Sequence, residues 1–381
     1  MMFRLHVFLC LLFNLSFLGL YAQVEYKYHP VPTKYSNRFF QKSVQLAIDK
    51  EGFEIENILP KGYKRDGSVD YTDYIQAAIN KYKVLKFPNF PLKVNVKGLN
   101  IWSNRTLIFR EGSSLIMEPN GNTNYAILRL HAVSNVKIYN LKIIGDREKH
   151  FNNSGQWGMG ISIRGSKNIL IDKAIIEKCW GDAIYLGSIL GGKSNEDIKI
   201  TNSMLDYNRR NGISIISGIN ILIKNCIISN TVGHNPMAGI DIEPNNSNDV
   251  IRNIELLDIV TFNNRWYGII VSLSNLQRKN SNKVSVNIIN HTDECSTVAL
   301  ATTLGTRKKN ELNSAEGKIN IYNPTWIDNS KTSFLYNETY YDKIIVEFKN
   351  VRILQSQFNK NTQNQYLFDQ TIKRTPNLRI D

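Results

Sequence analysis

The sequence predicts an all-β solenoid, a right-handed parallel β-helix with an N-terminal capping helix. Three observations carry that prediction: a six-residue pattern that recurs along the chain, a second short strand that follows it in five copies, and one amphipathic helical stretch ahead of the first copy.

The chain opens with "MMFRLHVFLCLLFNLSFLGLYA", which has a basic start at Arg4, an apolar stretch from Val7 to Leu20 and a small residue, Ala22, before Gln23. That is the pattern of a secretory signal peptide over residues 1–22. Its apolar part is shorter than the ~20 residues a bilayer demands, so a soluble exported protein without a membrane span is expected. Removing the leader takes away one charge and lowers the net balance of +14 to about +13. A basic exported protein suits an acidic partner such as an anionic polysaccharide. Nucleic acid is not expected, because the lysines are scattered rather than clustered. Cys179, Cys226 and Cys295 follow the leader, an odd number, and buried free thiols are expected.

Residues 23–95 read as an N-terminal segment and cap. Within them "YTDYIQAAINKYKV" places Tyr74, Ile75, Ala78, Ile79 and Tyr82 on one helical stripe, with Thr72 as N-cap. The pattern x-apolar-x-apolar-x-Asn then starts at 135, 168, 197, 220, 253, 285, 318 and 345. Its sixth position holds Asn140, Lys173, Asn202, Asn225, Asp258, Asn290, Asn323 and Asn350, side chains that suit a left-handed bend. An apolar residue comes three places later in most copies: Ile143, Ile176, Leu205, Ile228, Trp326 and Ile353. The second strand reads "GISI" at 160, "AIYL" at 183, "GISI" at 212, "GIDI" at 239 and "GIIV" at 268. Two short strands per repeat, joined by turns, make the coils of a solenoid over residues 96–356. A leucine-rich repeat would need a helix or tight Leu spacing between strands, and neither is present. Residues 357–381 read as a tail too polar to extend the core.

Parity fixes which side chains share a face. Counting from the Gly or Ala that opens each second strand, positions +1 and +3 point inward. Position +2 stacks Ser162, Tyr185, Ser214, Asp241 and Ile270 outside, and position +4 stacks Arg164, Gly187, Ile216, Glu243 and Ser272. Asp241 and Glu243 should therefore both leave the core and share an exposed face. At i and i+2 their Cα atoms lie ~6.7 Å apart, compatible with an acid and base flanking a water in an inverting glycosidase. A pair of surface acids meeting basic neighbours, or a cation site, would use the same residues. His234, five places before the strand that carries the acids, is the candidate for proton transfer. Asp146, Arg147 and His150 are further polar candidates, each His more simply an exposed loop residue. Asp182 sits at a bend two coils from Asp241, too far to be expected to pair with it. Three places before each second strand lie Trp157, Trp180, Arg209, Pro236 and Arg265, a ribbon suited either to holding a sugar chain or to plugging the corner between strands. Arg210 adjoins it.

The stretch "GYKRDGSVDYTDYIQAAINKYKVLKFPNFPLKVN", residues 62–95, resembles the cap that opens pectin-lyase-like β-helix proteins, notably polygalacturonases and exported pectate-lyase-like proteins. It carries the Asp66-Gly67, the helix and Pro88, but lacks the usual Gly in "FPNFPLKV". With the coils, the resemblance covers about residues 60–355. The polygalacturonase catalytic signatures, an Asn-Thr-Asp, an Asp-Asp pair, a Gly-His-Gly and an Arg-Ile-Lys, are absent. The resemblance therefore implies the fold and a carbohydrate-acting class, and no catalytic residue.

The expected function is an exported or cell-surface enzyme that hydrolyses an acidic polysaccharide, with Asp241, Glu243 and His234 as catalytic residues and with Trp157, Arg164, Trp180, Asp182, Tyr185, Arg209, Arg210 and Arg265 holding substrate. No cofactor or metal is expected. A polysaccharide lyase is the first alternative; it needs His234 or Arg210 as base and allows calcium. A non-catalytic glycan-binding or adhesion protein needs the Trp and Arg ribbon but no acids.

Overall fold

The computed structural model describes residues 26–41, 51–189, 192–276, 283–306, 315–340, 342–356 and 358–380; the expected leader lies outside them. The repeats wind into parallel sheets of twelve, nine and ten strands. Each full coil gives three strands rather than the expected two. Asn195–Thr201, Met204–Asp206 and Asn211–Ile215 form one such coil. The apolar residue three places after the bend is the centre of a three-residue strand, too short to announce itself by alternation.

All eight bend residues, from Asn140 to Asn350, have φ between 50° and 57°. Asn is favoured in this region because its side chain is short and hydrogen-bonds locally. It also bonds along the axis: Asn225 Nδ2 donates to Asn202 Oδ1 at 2.7 Å and Asn350 Nδ2 to Asn323 Oδ1 at 2.9 Å. Such ladders fix the register that the sequence columns imply. The inward residues of the second strands, Ile161 through Val271, are all fully buried, as are Ile143, Ile176, Leu205, Ile228 and Trp326. Coils stack closely at the opening glycines, where a Cβ on Gly212 would meet Ile228 Cγ2 at 2.1 Å.

Among the described residues three α-helices lie outside the coils: α1 (Thr33–Gln41), α2 (Thr72–Lys81) and α3 (Phe358–Arg374). α2 buries Ile75, Ala78 and Ile79 against the strand Leu99–Asn100, but Tyr74 is 41% exposed and leaves the expected stripe. Nor is Thr72 the cap. Tyr71 holds that position, and Asp70 Oδ1 accepts from the Thr72 N–H at 2.9 Å. The polar C-terminal stretch is not frayed: α3 sets Phe368 edge-on to Trp326, Phe334 and Phe348, and Leu378–Ile380 joins the twelve-stranded sheet. Residues 26–35 run along the ten-stranded sheet. Tyr26 donates to Asn230 and Asn263, Tyr28 to Asp206 and Tyr35 to Glu294, while Val31 and Tyr35 cover Ile227 and Val260. Cys179 and Cys226 are buried free thiols; Cys295 is exposed, against expectation, at a bend with φ 66°.

Candidate functional site

The outward face of the nine-stranded sheet carries the expected columns. Ser162 pairs with Tyr185, Tyr185 with Ser214, Ser214 with Asp241 and Asp241 with Ile270. Facing outward does not make them exposed. Asp241 and Ser214 are fully buried, Ser162 and Tyr185 nearly so, while Glu243 is half-buried. The loops at both edges close over the strands: Ser188 donates to Asp249 at 2.9 Å, and Asn245 Nδ2 reaches the Tyr185 hydroxyl.

Asp182 and Asp241, read as too distant to pair, share one network. Arg210 donates to both carboxylate oxygens of Asp182, at 3.1 and 2.9 Å, and the Ser214 hydroxyl donates to Asp182 Oδ2 at 2.9 Å. Asn211 Nδ2 donates to Ser214 Oγ and to Asp241 Oδ2, each at 3.0 Å. Asp182 is thus committed to Arg210 and does not face substrate. Asp241 Oδ1 is buried with no partner, as is Arg210 Nε. Burial pushes the Asp241 carboxyl well above the usual carboxylate range, and nearby Glu243 adds to the rise; Arg210 opposes it. Burial also raises Asp182, against Arg210 and the Ser214 and Asn211 hydrogen bonds. For Arg210, burial favours the neutral form, but Asp182, Asp241 and Glu243 outweigh it and hold the guanidinium charged.

The other half of the face is basic and extends one coil further than the sequence reading took it. The strand Asn124–His131 places Arg129 beside Ser162 and His131 beside Arg164. His131 Nε2 lies 2.9 Å from Ser162 Oγ, and Arg164 Nε donates to the same oxygen at 3.3 Å. The Arg164 guanidinium stacks 4.4 Å from the centre of the Tyr185 ring. Burial and the two arginines push His131 down to about 4, so it is neutral at pH 7. Between the basic and acidic halves, Ala126, Met159, Tyr185 and Ile216 make an apolar strip.

The Trp and Arg ribbon does not form. Trp157 is 44% exposed, but Trp180 and Arg209 are buried. Arg209 lies 3.7 Å from the Trp180 ring centre and donates to the carbonyls of Gly155, Trp180 and Asn153. The ring of His150 stacks on Trp180 at 3.9 Å, and its Nδ1 lies 2.8 Å from Asp146 Oδ2. Tyr125 and Asn120 also donate to Asp146. His150 is therefore a buried strut of the 146–157 loop, not an exposed loop residue. Arg147 covers Tyr207 at 3.9 Å. Arg265 is half-buried beside Trp266, and His234, also half-buried, has Nδ1 3.0 Å from the Asn235 carbonyl.

A further buried carboxylate, Asp293, escaped the sequence reading because it points into the core. Asp293 Oδ2 accepts from Thr261 and Ser296 at 2.6 and 2.7 Å, and Oδ1 accepts from Asn329 at 2.6 Å. His291 Nε2 lies 2.7 Å from Thr261 Oγ1, and Trp326 Nε1 donates to His291 Nδ1. Burial raises Asp293 to about 7, moderated by those three donors. The signal was present: Thr261 and Asp293 interrupt the apolar column that runs Ile143, Ile176, Leu205, Ile228 and resumes at Trp326. Arg129 and His131 were missed because their strand lacks an opening Gly. Among the described residues no group of three or more His, Cys, Asp or Glu is arranged to hold a metal ion, and no helix is long and apolar enough to cross a membrane.

A family described as "Right handed beta helix region" matches residues 91–254. The "SPbeta prophage-derived uncharacterized protein YorA" of Bacillus subtilis (strain 168) is 29% identical over 164 residues, covering 38% of this chain and 28% of that protein. "Uncharacterized protein YclG" of the same organism is 26% identical over 246 residues, with coverages of 56% and 42%. The chain thus spans less than half the length of either relative. Among solved structures, PfbA, a surface adhesin of Streptococcus pneumoniae, superposes with TM-score 0.63 at 12% identity, covering 81% of this chain and 80% of that one. The A-module of the Azotobacter vinelandii mannuronan C-5 epimerase AlgE6 gives 0.57 at 13%, with coverages of 80% and 87%. The endo-xylogalacturonan hydrolase of Aspergillus tubingensis gives 0.57 at 13%, with 77% and 84%. At such identities the likeness is one of fold, and the chain takes the right-handed parallel β-helix fold.

Proposed function

We propose that the chain is an exported polysaccharide-active enzyme, a glycoside hydrolase in which Asp241 is the general acid and Glu243 the general base. The observation that carries this reading is the contrast within the pair. Asp241 is buried, pushed up into the protonated form and has one oxygen uncommitted, while Glu243 two residues on is half-buried and reaches the surface. Two carboxyl groups in unlike environments take unlike roles, the buried one donating to the leaving oxygen and the one at the surface activating water. Arg210 keeps the cluster from accumulating uncompensated charge, and Asp182 holds Arg210 in place. The structural relatives that act on uronate glycans, the epimerase and the xylogalacturonan hydrolase, support an acidic polysaccharide as the substrate class. The leader at residues 1–22 supports export.

A second reading, glycan binding without turnover, is favoured by the complete burial of Asp241 and by the likeness to a surface adhesin. The lyase reading is less favoured at one of its two bases, because the charged Arg210 has no free lone pair with which to take a proton. The test incubates the protein with neutral and anionic polysaccharides and scores new reducing ends and unsaturated ends separately. Reducing ends that vanish in Asp241→Asn support the hydrolase. Unsaturated ends identify a lyase, and binding with neither kind of end leaves the adhesion reading.

A further inference from the structure

The outward face of the nine-stranded sheet sorts its charges along the solenoid axis. Its carboxylates Asp182, Asp241 and Glu243 lie along the strands Ile184–Gly187 to Ala238–Ile242 in the middle of the sheet, with Arg210 as the cation among them. On the two strands before them Arg129 and Arg164 have no carboxylate partner among the described residues. Arg129 is spent on the Ala126 and Lys97 carbonyls and on Asn100 Oδ1. Arg164 uses its Nε on Ser162, lies over the Tyr185 ring and also hydrogen-bonds that side chain, so the tyrosine holds the half-buried guanidinium in place on the outward face. The floor between is uncharged: Gly187, Tyr185 and Ile216.

We propose that Arg164 is an anion-holding subsite displaced from the cleavage point, so that the substrate is a heteropolysaccharide with an acidic sugar a few rings away from a neutral one at the scissile linkage. This deepens the hydrolase reading and rests on it for the position of the cleavage point. The +4 column runs Arg164, Gly187, Ile216, Glu243, so the Arg164 backbone stands three strand spacings, ~14 Å, from that of the base. With Asp241 protonated, a sugar carboxylate at the acid pair would still meet Asp182 and Glu243 against the one guanidinium of Arg210, a repulsive surrounding. The same carboxylate at Arg164 meets a guanidinium held over the Tyr185 ring and a neutral His131. Tyr185 and Ile216 offer an apolar floor to the neutral rings between. A homopolymer with a carboxylate on every sugar satisfies Arg164 only by placing another against Glu243, so it should be the poorer ligand.

The test needs no turnover. Dissociation constants are measured by affinity electrophoresis for the wild type, Arg164→Ala and Arg164→Gln. The probes are gellan, a linear glycan with one glucuronate among neutral sugars in each repeat, carboxyl-reduced gellan, and polygalacturonate. Carboxyl reduction should weaken wild-type binding by about tenfold. Arg164→Ala and Arg164→Gln, with unchanged melting temperatures, should weaken gellan binding equally and be indifferent to carboxyl reduction. Polygalacturonate should bind less tightly than gellan. The subsite is overturned if the variants keep the wild-type preference for the carboxylate, if polygalacturonate binds tightest, or if no carboxylate-dependent retardation is seen. Scoring reducing ends in parallel separates the two claims. The expected binding pattern with no cleavage overturns the hydrolase and keeps the subsite.

Discussion

Asp241 and Asp293 are both fully buried, and in both burial favours the protonated carboxyl, yet their surroundings differ in kind. Asp293 points into the solenoid, where Thr261, Ser296 and Asn329 donate to its two oxygens. Asp241 points outward under the edge loops, next to another carboxylate, and only Oδ2 has a donor. Burial and a raised pKa accordingly do not distinguish a functional group from a structural one. The discriminating features are the uncommitted oxygen, the like-charged neighbour and the face on which the group sits.

If that distinction holds, amide substitution should separate the two residues, and this is the largest effect expected. Asp241→Asn and Glu243→Gln should each lower turnover by 10²–10⁴-fold, the usual worth of positioned proton transfer, with little change in melting temperature. Asp293→Asn should leave turnover within about a factor of two, since it touches nothing on the outward face. Steady-state release of reducing ends reads both. Full turnover in Asp241→Asn would make Asp241 as structural as Asp293.

A smaller effect separates the residues by stability. Asp293→Ala removes the acceptor for three buried donors and leaves a void, so denaturant unfolding should show a loss of about 3 kcal/mol or more. Asp241→Ala strands one donor, Asn211 Nδ2, and also removes a carboxyl repelled by Glu243. It should cost about 1 kcal/mol or less. Equal losses would show that the outward network is as structural as the inner one.

Fold and columns were legible because alternation and Asn-marked bends act locally. The inward residues of the second strands and the eight bends from Asn140 to Asn350 follow from their place in the repeat. The register of Ser162, Tyr185, Ser214 and Asp241 was legible for the same reason. What those side chains meet was not, since contacts such as Ser188 with Asp249 and Asn245 with Tyr185 come from residues beyond the strand ends, which have no periodicity. The paired fates of Trp180 and Arg209 show the limit well. Their column position was right, but the 146–157 loop folds over them and takes up their hydrogen-bonding and stacking capacity. Asp293 was hidden by a rule that usually works, namely that a charged residue reads as surface.

The smallest expected effect is in the pH dependence of stability, and it probes Asp293 alone. Its pKa of about 7 in the fold lies above the unfolded value of 3.8, so between pH 4 and 7 the folded chain holds a proton that the unfolded chain releases. Folding is therefore most favoured by this group at the acid end, and its contribution is lost as pH rises through about 7. Asp182 and Asp241 act in the same direction. His131 and His291, lowered to about 4 and about 3 by burial, act in the opposite one, because below pH 6.5 the unfolded chain takes up protons that the fold excludes. Whole-protein curves mix these contributions, whereas the difference between wild type and Asp293→Asn isolates one. The amide cannot ionise, so the wild type should lose stability relative to the variant by a few kcal/mol as pH is raised from 4 to 8, with most of the change complete by about 7. Urea midpoints at closely spaced pH values measure it. A difference that stays flat would mean that Thr261, Ser296 and Asn329 stabilise the ionised carboxylate as well as water does, and that Asp293, unlike Asp241, is charged at neutral pH.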